Sequence, residues 1–305
     1  MANSIKENNK YLFVNVDVDS LKFYYQIHGL KENNDNIIWE LGVKRFLRFF
    51  KTNNIKANFF IIGSDLKNLQ NLKIAKEIIK NGHKINSHTF SHEYNLIKKN
   101  KKHVEREIKK NQDLLKKELS INNICFRGPG YEINDKIYKI LKKNKIKISS
   151  TLLPSSFYYI LKNIIIIKNK FFFKNSKSLL GNIFASLKPK KMFFEKFSNI
   201  LEIPITTIPL LSIPFIGTFI VFMGNFGFFL FKEIIIKKEI INLEFHAIDL
   251  VDSEDLINHR LLNKKQFDLK YSHKYKQKLF IKWIKYISKS HNNILLEDIL
   301  KLKSH

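Results

Sequence analysis

Short apolar runs recur along this chain, separated by stretches with helical spacing, and several of the runs end on a residue that can do chemistry. Tyr11 to Asp19 alternates apolar and polar residues late in the run and reads as a strand. Its two terminal carboxylates, Asp17 and Asp19, are two residues apart and share one strand face. Lys56 to Gly63 reads as a short buried strand, and His83 to His88 as the next, delivering His88 at its end. Asn123 to Arg127, Lys147 to Leu153, Leu201 to Thr206 and Ile241 to His246 continue the series. Between them, Ile37 to Thr52 has helical apolar spacing, and Asp65 to Lys80 is a helix stopped by Asn81-Gly82. Lys101 to Leu119 is amphipathic, with Val104, Ile108, Leu115 and Leu119 on one face. Asn134 caps a further helix through Asn144, and Tyr275 to Ser288 is a late one. Strands alternating with helices predict a parallel α/β architecture, whose chemistry collects at the carboxyl ends of the strands. Asp17, Asp19, His88, Arg127 and His246 all fall at such ends.

The stretch Asn86-Ser-His-Thr-Phe-Ser-His92 is the most informative of these ends. It holds two imidazoles four residues apart, a spacing that can aim both at one divalent ion. Thr89 stands where a helical zinc-protease motif has its Glu, so the pattern is not that one. Two imidazoles leave a site short of ligands, and a carboxylate from elsewhere in the chain is expected.

Composition narrows the function classes. The 305 residues are 44% hydrophobic, enough for a real core in one large α/β domain or two small ones. The formal net charge is +27, which fits nucleic acid, an anionic membrane surface or an anionic substrate. The lysines are scattered, and the sequence has no clustered basic helix or aromatic sheet of the kind that reads nucleic acid, so no nucleic-acid partner is expected. Cys125 is the only cysteine; it lies in an apolar run and is expected in the core. Met1 to Lys10 is polar and carries no leader pattern, which makes the cytoplasm the expected compartment.

Two stretches break the alternation. Residues 154–199 are long, basic and aromatic, and read as an insertion between the fifth and sixth strands. Ile203 to Phe231 has no charged residue, but Pro204, Pro209, Pro214, Gly217, Gly224 and Gly227 divide it. Buried strand and helix, or a surface dipping into a bilayer interface, are expected there rather than a full span.

Taken in order, five blocks resemble the polysaccharide deacetylases, the nodulation-protein-B homology domain. They are Val16-Asp-Val-Asp-Ser20, Asn58-Phe-Phe-Ile-Ile-Gly63, Ser87-His-Thr-Phe-Ser-His92, Phe126-Arg-Gly-Pro-Gly-Tyr131 and Leu243-Glu-Phe-His-Ala-Ile-Asp249. The resemblance implies a distorted (β/α) barrel with about seven parallel strands, as one domain over residues 1–305 with C-terminal helices at about 255–305. It also implies metal-dependent hydrolysis of an N-acylated sugar. By position, Asp19, His88 and His92 would bind one divalent metal, most simply Zn²⁺. Asp17 would be the general base, Arg127 would hold and tune it, and His246 would be the general acid. Pro129 and Tyr131 would contact substrate, Tyr131 through its backbone N–H. The chemistry of the residue types agrees: two His and one carboxylate make an open facial site, and a second carboxylate can accept a proton from water.

The chain departs from the pattern in two places. The acidic motif lacks the adjacent Asp pair, and the motif that orients the last His is not evident, leaving Glu202, Asp249 and Asp252 as candidates to orient His246. Leu201 to Thr206 and Phe245 to Asp249 are similar to segments of the deformylases that act on undecaprenyl-phosphate-linked aminoarabinose. The expected substrate is therefore an amino sugar in a cell-envelope glycan or a lipid-linked precursor, carrying an acetyl or formyl group. The alternative is a catalytically silent carbohydrate- or membrane-binding module on the same fold. A peripheral membrane contact is also expected, through a lip formed by Phe157 to Phe194 and the uncharged run after Pro214. In that lip Lys162, Lys168, Lys170, Lys188, Lys190 and Lys191 meet headgroups, and Phe171, Phe172, Phe173, Phe193 and Phe194 enter the interface.

Overall fold

The computed structural model describes residues 10–172, 188–209 and 212–302. Its strands are β1 (Tyr11–Val18), β2 (Asn58–Ile61), β3 (Lys84–Ser87), β4 (Cys125–Phe126), β5 (Ile148–Ser149), β6 (Phe193–Phe194), β7 (Leu201–Glu202), β8 (Thr207–Ile208), β9 (Ile213–Pro214), β10 (Ile240–His246) and β11 (Asn292–Asn293). The seven expected strands pair in the order β10-β1-β2-β3-β4-β5-β7, and every pair in that series is parallel. β6 adds an antiparallel edge, β11 extends the start of β1, and β8 and β9 form a separate hairpin.

The sheet curls into a distorted half-barrel because alternate residues of each strand face different apolar layers. Leu12, Val14, Val16 and Val18 pack outward, with Phe59, Ile61, Leu243 and Phe245, into the layer shared with the surrounding helices. Phe13 turns inward, to Phe60, Cys125, Ile148 and Leu201, and plugs the barrel. Cys125 is thus core, as its apolar run predicts. Above that plug lies a polar layer, where the Asn15 side chain donates to Asn242 at 2.5 Å. The period-2 alternation places Asp17, Glu244 and His246 on the same inward side, above this layer.

The seam between β7 and β10 is closed without a regular ladder. The Thr206 N–H donates to the Asn242 carbonyl at 3.0 Å, and the Asn242 side chain donates to the carbonyls of Ile203 and Pro204. Pro204 has no N–H to give a ladder, so an Asn side chain does the joining.

The helices are α1 (Leu21–Ile27), α2 (Lys44–Thr52), α3 (Leu69–Lys80), α4 (Lys101–Leu119), α5 (Asp135–Lys143), α6 (Ser156–Phe172), α7 (Gly217–Ile235), α8 (Arg260–Lys265), α9 (His273–Ile287) and α10 (Asp298–Leu302). α3 starts four residues later than the sequence pattern predicts, because Asn68 caps it by accepting from the Gln70 N–H. Asp65 instead accepts from the Ser20 hydroxyl and the Trp39 indole N–H. α7 arises from the uncharged run; Gly224 interrupts it at φ 57°, ψ −149°. The apolar side of α4 carries two buried polar residues beside Val104, Ile108 and Leu115, namely Glu107 and Asn111.

Candidate active site

The carboxyl end of β1 presents Asp19 to two imidazoles. Asp19 Oδ1 lies 3.3 Å from Nε2 of His88 and 3.3 Å from Nε2 of His92. His88 directly follows β3, and its Nδ1 donates to the Arg127 carbonyl at 2.8 Å, which fixes the ring and leaves Nε2 toward Asp19. His92 comes from the loop beyond, where Thr89 and His92 both sit at positive φ, 61° and 55°. Such backbone costs about 1–3 kcal/mol per residue and persists only where its surroundings enforce it. Here α4 enforces it. Glu107 accepts from the Ser91 N–H and Oγ, both at 2.8 Å, and Asn111 donates to the carbonyls of Thr89 and Ile61. Phe23 and Tyr94 pack on the His92 ring, with centroids at 4.4 and 5.0 Å.

The charge states suit a cation. Burial lowers His92, with His88 and His246 adding to it against the pull of Asp19, and the ring is pushed down to about 3, so it is a neutral imidazole. Burial raises Asp19, but His92 and His88 outweigh it and hold the carboxyl below its ordinary range. Asp19 Oδ1 and His92 Nδ1 are buried without a hydrogen-bond partner. Ligand atoms of Asp19, His88 and His92 all lie within 4.8 Å of one another. One carboxylate and two imidazoles form a donor set that fits a divalent transition metal.

Beside this triad lies a second, charge-balanced group. The fully buried Arg127 donates from Nη1 to Asp17 Oδ1 at 2.8 Å, and its other nitrogens donate to the Ser150 carbonyl and hydroxyl. The same Nη1 lies 3.4 Å from Glu244 Oε2. Glu244 accepts from the Tyr131 hydroxyl at 2.8 Å, and its Oε1 is 3.6 Å from His246 Nε2. Burial alone would depress His246; Glu244, then Asp19 and Asp17, lift it to about 9. Burial raises Glu244, and although Arg127 opposes this, its carboxyl reaches about 7. Asp17, Glu244 and His246 also cluster closely enough to suggest a second ion. Arg127 and protonated His246 together balance the two carboxylates, which disfavours another cation.

The structure brings Asp17, Asp19, His88, His92, Arg127 and His246 together and corrects four other expectations. Glu202 does not orient His246. Its carboxylate accepts from the N–H groups of Thr151 and Leu152 and from the Tyr138 hydroxyl, which spends its oxygens below the site. Asp249 accepts the His246 backbone N–H at 2.9 Å, so it fixes the strand end and not the ring. Asp252 is engaged by the backbone N–H and Nδ1 of His273. Pro129 is buried in its turn, and Gly128, Gly130 and Tyr131 line the cavity instead. Glu244 is the carboxylate that faces the His246 ring. In the sequence it is only the inward residue two places before His246, and that parity was the available signal.

The group opens into a cavity of about 530 Å³. Its walls are mostly apolar and include Ile27, Tyr158, Leu161, Ile216, Phe219, Phe222 and Phe267, with Lys162 at the edge. The first turns of the expected insertion therefore do reach the site through α6. Lys190 and Lys191 do not line the cavity; Lys190 donates to Ser212 Oγ at 2.7 Å. Phe171, Phe172, Phe173, Lys168 and Lys170 lie outside the described residues in whole or in their side chains.

Residues 35–149 match the family profile named polysaccharide deacetylase. Over that segment, which is less than half of the chain, the sequence is similar to the polysaccharide deacetylases. The matched segment holds His88, His92 and Arg127, while Asp17, Asp19 and His246 lie outside it. Among solved structures, a Mycobacterium smegmatis protein regarded as a polysaccharide deacetylase aligns over 96% of this chain and 90% of its own. It does so at 13% identity and a TM-score of 0.59, which is agreement of fold. A family 4 carbohydrate esterase from Streptomyces lividans, in complex with acetate, aligns over 47% of this chain at 15% identity and TM-score 0.37; the alignment spans 62% of the Streptomyces chain. A family 4 pseudoenzyme from Bacillus anthracis aligns over 86% of this chain and 62% of its own, at 12% identity and TM-score 0.40. No curated protein matches the sequence. The fold is thus shared with the Mycobacterium smegmatis protein.

Proposed function

We propose that this protein is a polysaccharide deacetylase that hydrolyses the N-acyl group of an amino sugar, using one divalent metal ion held by Asp19, His88 and His92. The observation that carries the reading is the pairing of two unlike groups over one cavity. Three ligand atoms converge on one side, and an Arg-bound carboxylate with a histidine stands on the other. A bound ion, most simply Zn²⁺, would supply polarisation of the acyl carbonyl and acidification of water.

The chain's own groups account for the proton movements. Asp17, held by Arg127, accepts the proton that water loses. His246, kept protonated by Glu244, gives a proton to the departing amine. Tyr131 spends its hydroxyl on Glu244, so its contribution to the developing oxyanion would come from its backbone N–H. The products are a carboxylate, acetate or formate, and a free amino sugar. The apolar walls support a substrate whose sugar is joined to an apolar group, such as a lipid-linked precursor, over a purely polar polymer.

The test is the metal content of the purified protein, followed by acetate and formate release from N-acylated amino sugars, free and lipid-linked. Release from at least one, abolished by chelator, is expected. A metal-loaded protein that releases neither acid from any of them would leave the silent carbohydrate-binding alternative.

A further inference from the structure

Beside the cavity mouth, α7 turns one side of itself to solvent. Phe222, Phe226, Phe229 and Leu230 are 61%, 71%, 74% and 45% exposed. In the half of α7 after Gly224, Phe226, Phe229 and Leu230 fall at i, i+3 and i+4, and so on one face. The opposite face is occupied: Phe228 packs on Trp283 and Tyr286 of α9, with ring centroids at 5.0 and 5.6 Å. Phe222, before Gly224, joins the exposed side to the cavity wall. Phe157 meets Phe219, Phe219 meets Phe222, and Phe222 meets Phe267, with centroids at 5.8, 6.4 and 5.7 Å.

Cations stand on both flanks of this face. Lys270 lies over Phe267 and Lys162 over Tyr158 on the cavity side, and Lys282 and Lys232 lie over Phe228 on the side toward α9. Glu233 stands among them and is engaged by Lys232 and by the Tyr286 hydroxyl. Protruding phenylalanines edged with lysines match an anionic bilayer, where rings enter the acyl boundary and ammonium groups meet headgroups. A second copy of the chain fits poorly, since a protein of net charge +27 would set lysines against lysines. A full span fits poorly too. α7 is long and apolar enough by composition, but Gly224 breaks it and its inner face is packed on α9.

We propose that the α7 face bearing Phe222, Phe226, Phe229 and Leu230 is a membrane-docking surface. It lies flat in the interface of an anionic bilayer and sets the cavity mouth at headgroup level. This surface stands on its own, whatever reaction the cavity performs. The test is sedimentation of the full chain with vesicles of phosphatidylcholine alone, or of phosphatidylcholine mixed with phosphatidylglycerol. The comparison is the triple variant Phe226→Ser/Phe229→Ser/Leu230→Ser, none of whose positions lines the cavity. The wild type is expected to sediment with the anionic vesicles and the variant to partition at least about tenfold less, with unchanged circular dichroism. If the triple variant misfolds, Phe229→Ser alone serves, with a smaller decrease. Equal partitioning of wild type and variant overturns the proposal. So does a wild type that ignores vesicles and sediments in free solution as a dimer that the variant dissolves. Neither readout uses acyl release, so failure of the hydrolase reading is seen separately.

Discussion

The two sides of the site are built on different principles. On the metal side, one carboxylate faces two buried imidazoles, one of them neutral, and two polar atoms go without hydrogen bonds. On the proton side, Asp17 and Glu244 share Arg127, and Tyr131 and His246 both engage Glu244 Oε1, while Glu244 Oε2 keeps only its ionic contact. The first side is incomplete as protein and gains from an ion; the second already carries its own cation. The cost of burying charge falls on the pairing in the second and on the missing ligand in the first. A polar cluster in a barrel mouth is thus best judged by which atoms lack partners, and not by how many carboxylates it gathers.

That contrast can be broken experimentally. Asp19→Ala, His88→Ala and His92→Ala are expected to reduce bound metal from about one ion per chain to nearly none while the fold persists; metal analysis beside circular dichroism checks this. Metal retained at full occupancy in all three would erase the distinction between the sides. Asp17→Asn is expected to keep its metal and lose turnover by ~10²-fold or more, as measured by acyl release under saturating substrate. Near-normal turnover would place the base elsewhere.

Glu244→Gln sharpens the proton side. Glu244 is the foremost of the groups that lift His246, against burial, from 6.5 to about 9. An acid must be protonated to act, so activity should fall as pH rises through the His246 pKa. Removing the Glu244 charge moves that fall to lower pH, and turnover at mildly alkaline pH drops by about tenfold per unit moved. An unmoved alkaline limb in the pH–rate profile would detach Glu244 from the acid. The smallest effect is expected from Gly217→Ala, since a Cβ there would stand 1.9 Å from Asp249 Oδ2 behind the His246 strand end. A loss of about 1–3 kcal/mol of stability, read from denaturant melts, should come with metal content unchanged.

Much of this was legible in the sequence, and the residues show why. All seven parallel strands were visible because parallel strands, buried on both faces, stand out as short apolar runs. Asp17, Asp19, His88, Arg127 and His246 were visible because they close such runs. Glu244 was not singled out, since inside a strand it looks like one polar member of an alternation; only the curl of the sheet carries Arg127 to it. Glu107 and Asn111 were hidden for a related reason. On a Lys- and Glu-rich helix they resemble solvated residues, yet they hold the histidine loop from the buried face. α7 was obscured by its own glycines, which read as breaks although only Gly224 departs from helical geometry.

β1 lies inside the sheet, laddered to β10 along its length and to β2 beyond Asn15, and it brings both Asp17 and Asp19 to the mouth. Asp17 is therefore held from both sides, opposite His246 on β10 and Phe60 on β2, so one central strand underlies both sides of the site. With both carboxylates carried by a buried strand laddered on both sides, a chelator is expected to empty the protein without unravelling it. In hydrogen exchange, the amides of Val14 to Asp17 should be among the last to exchange, with or without metal, opening only when the whole barrel does.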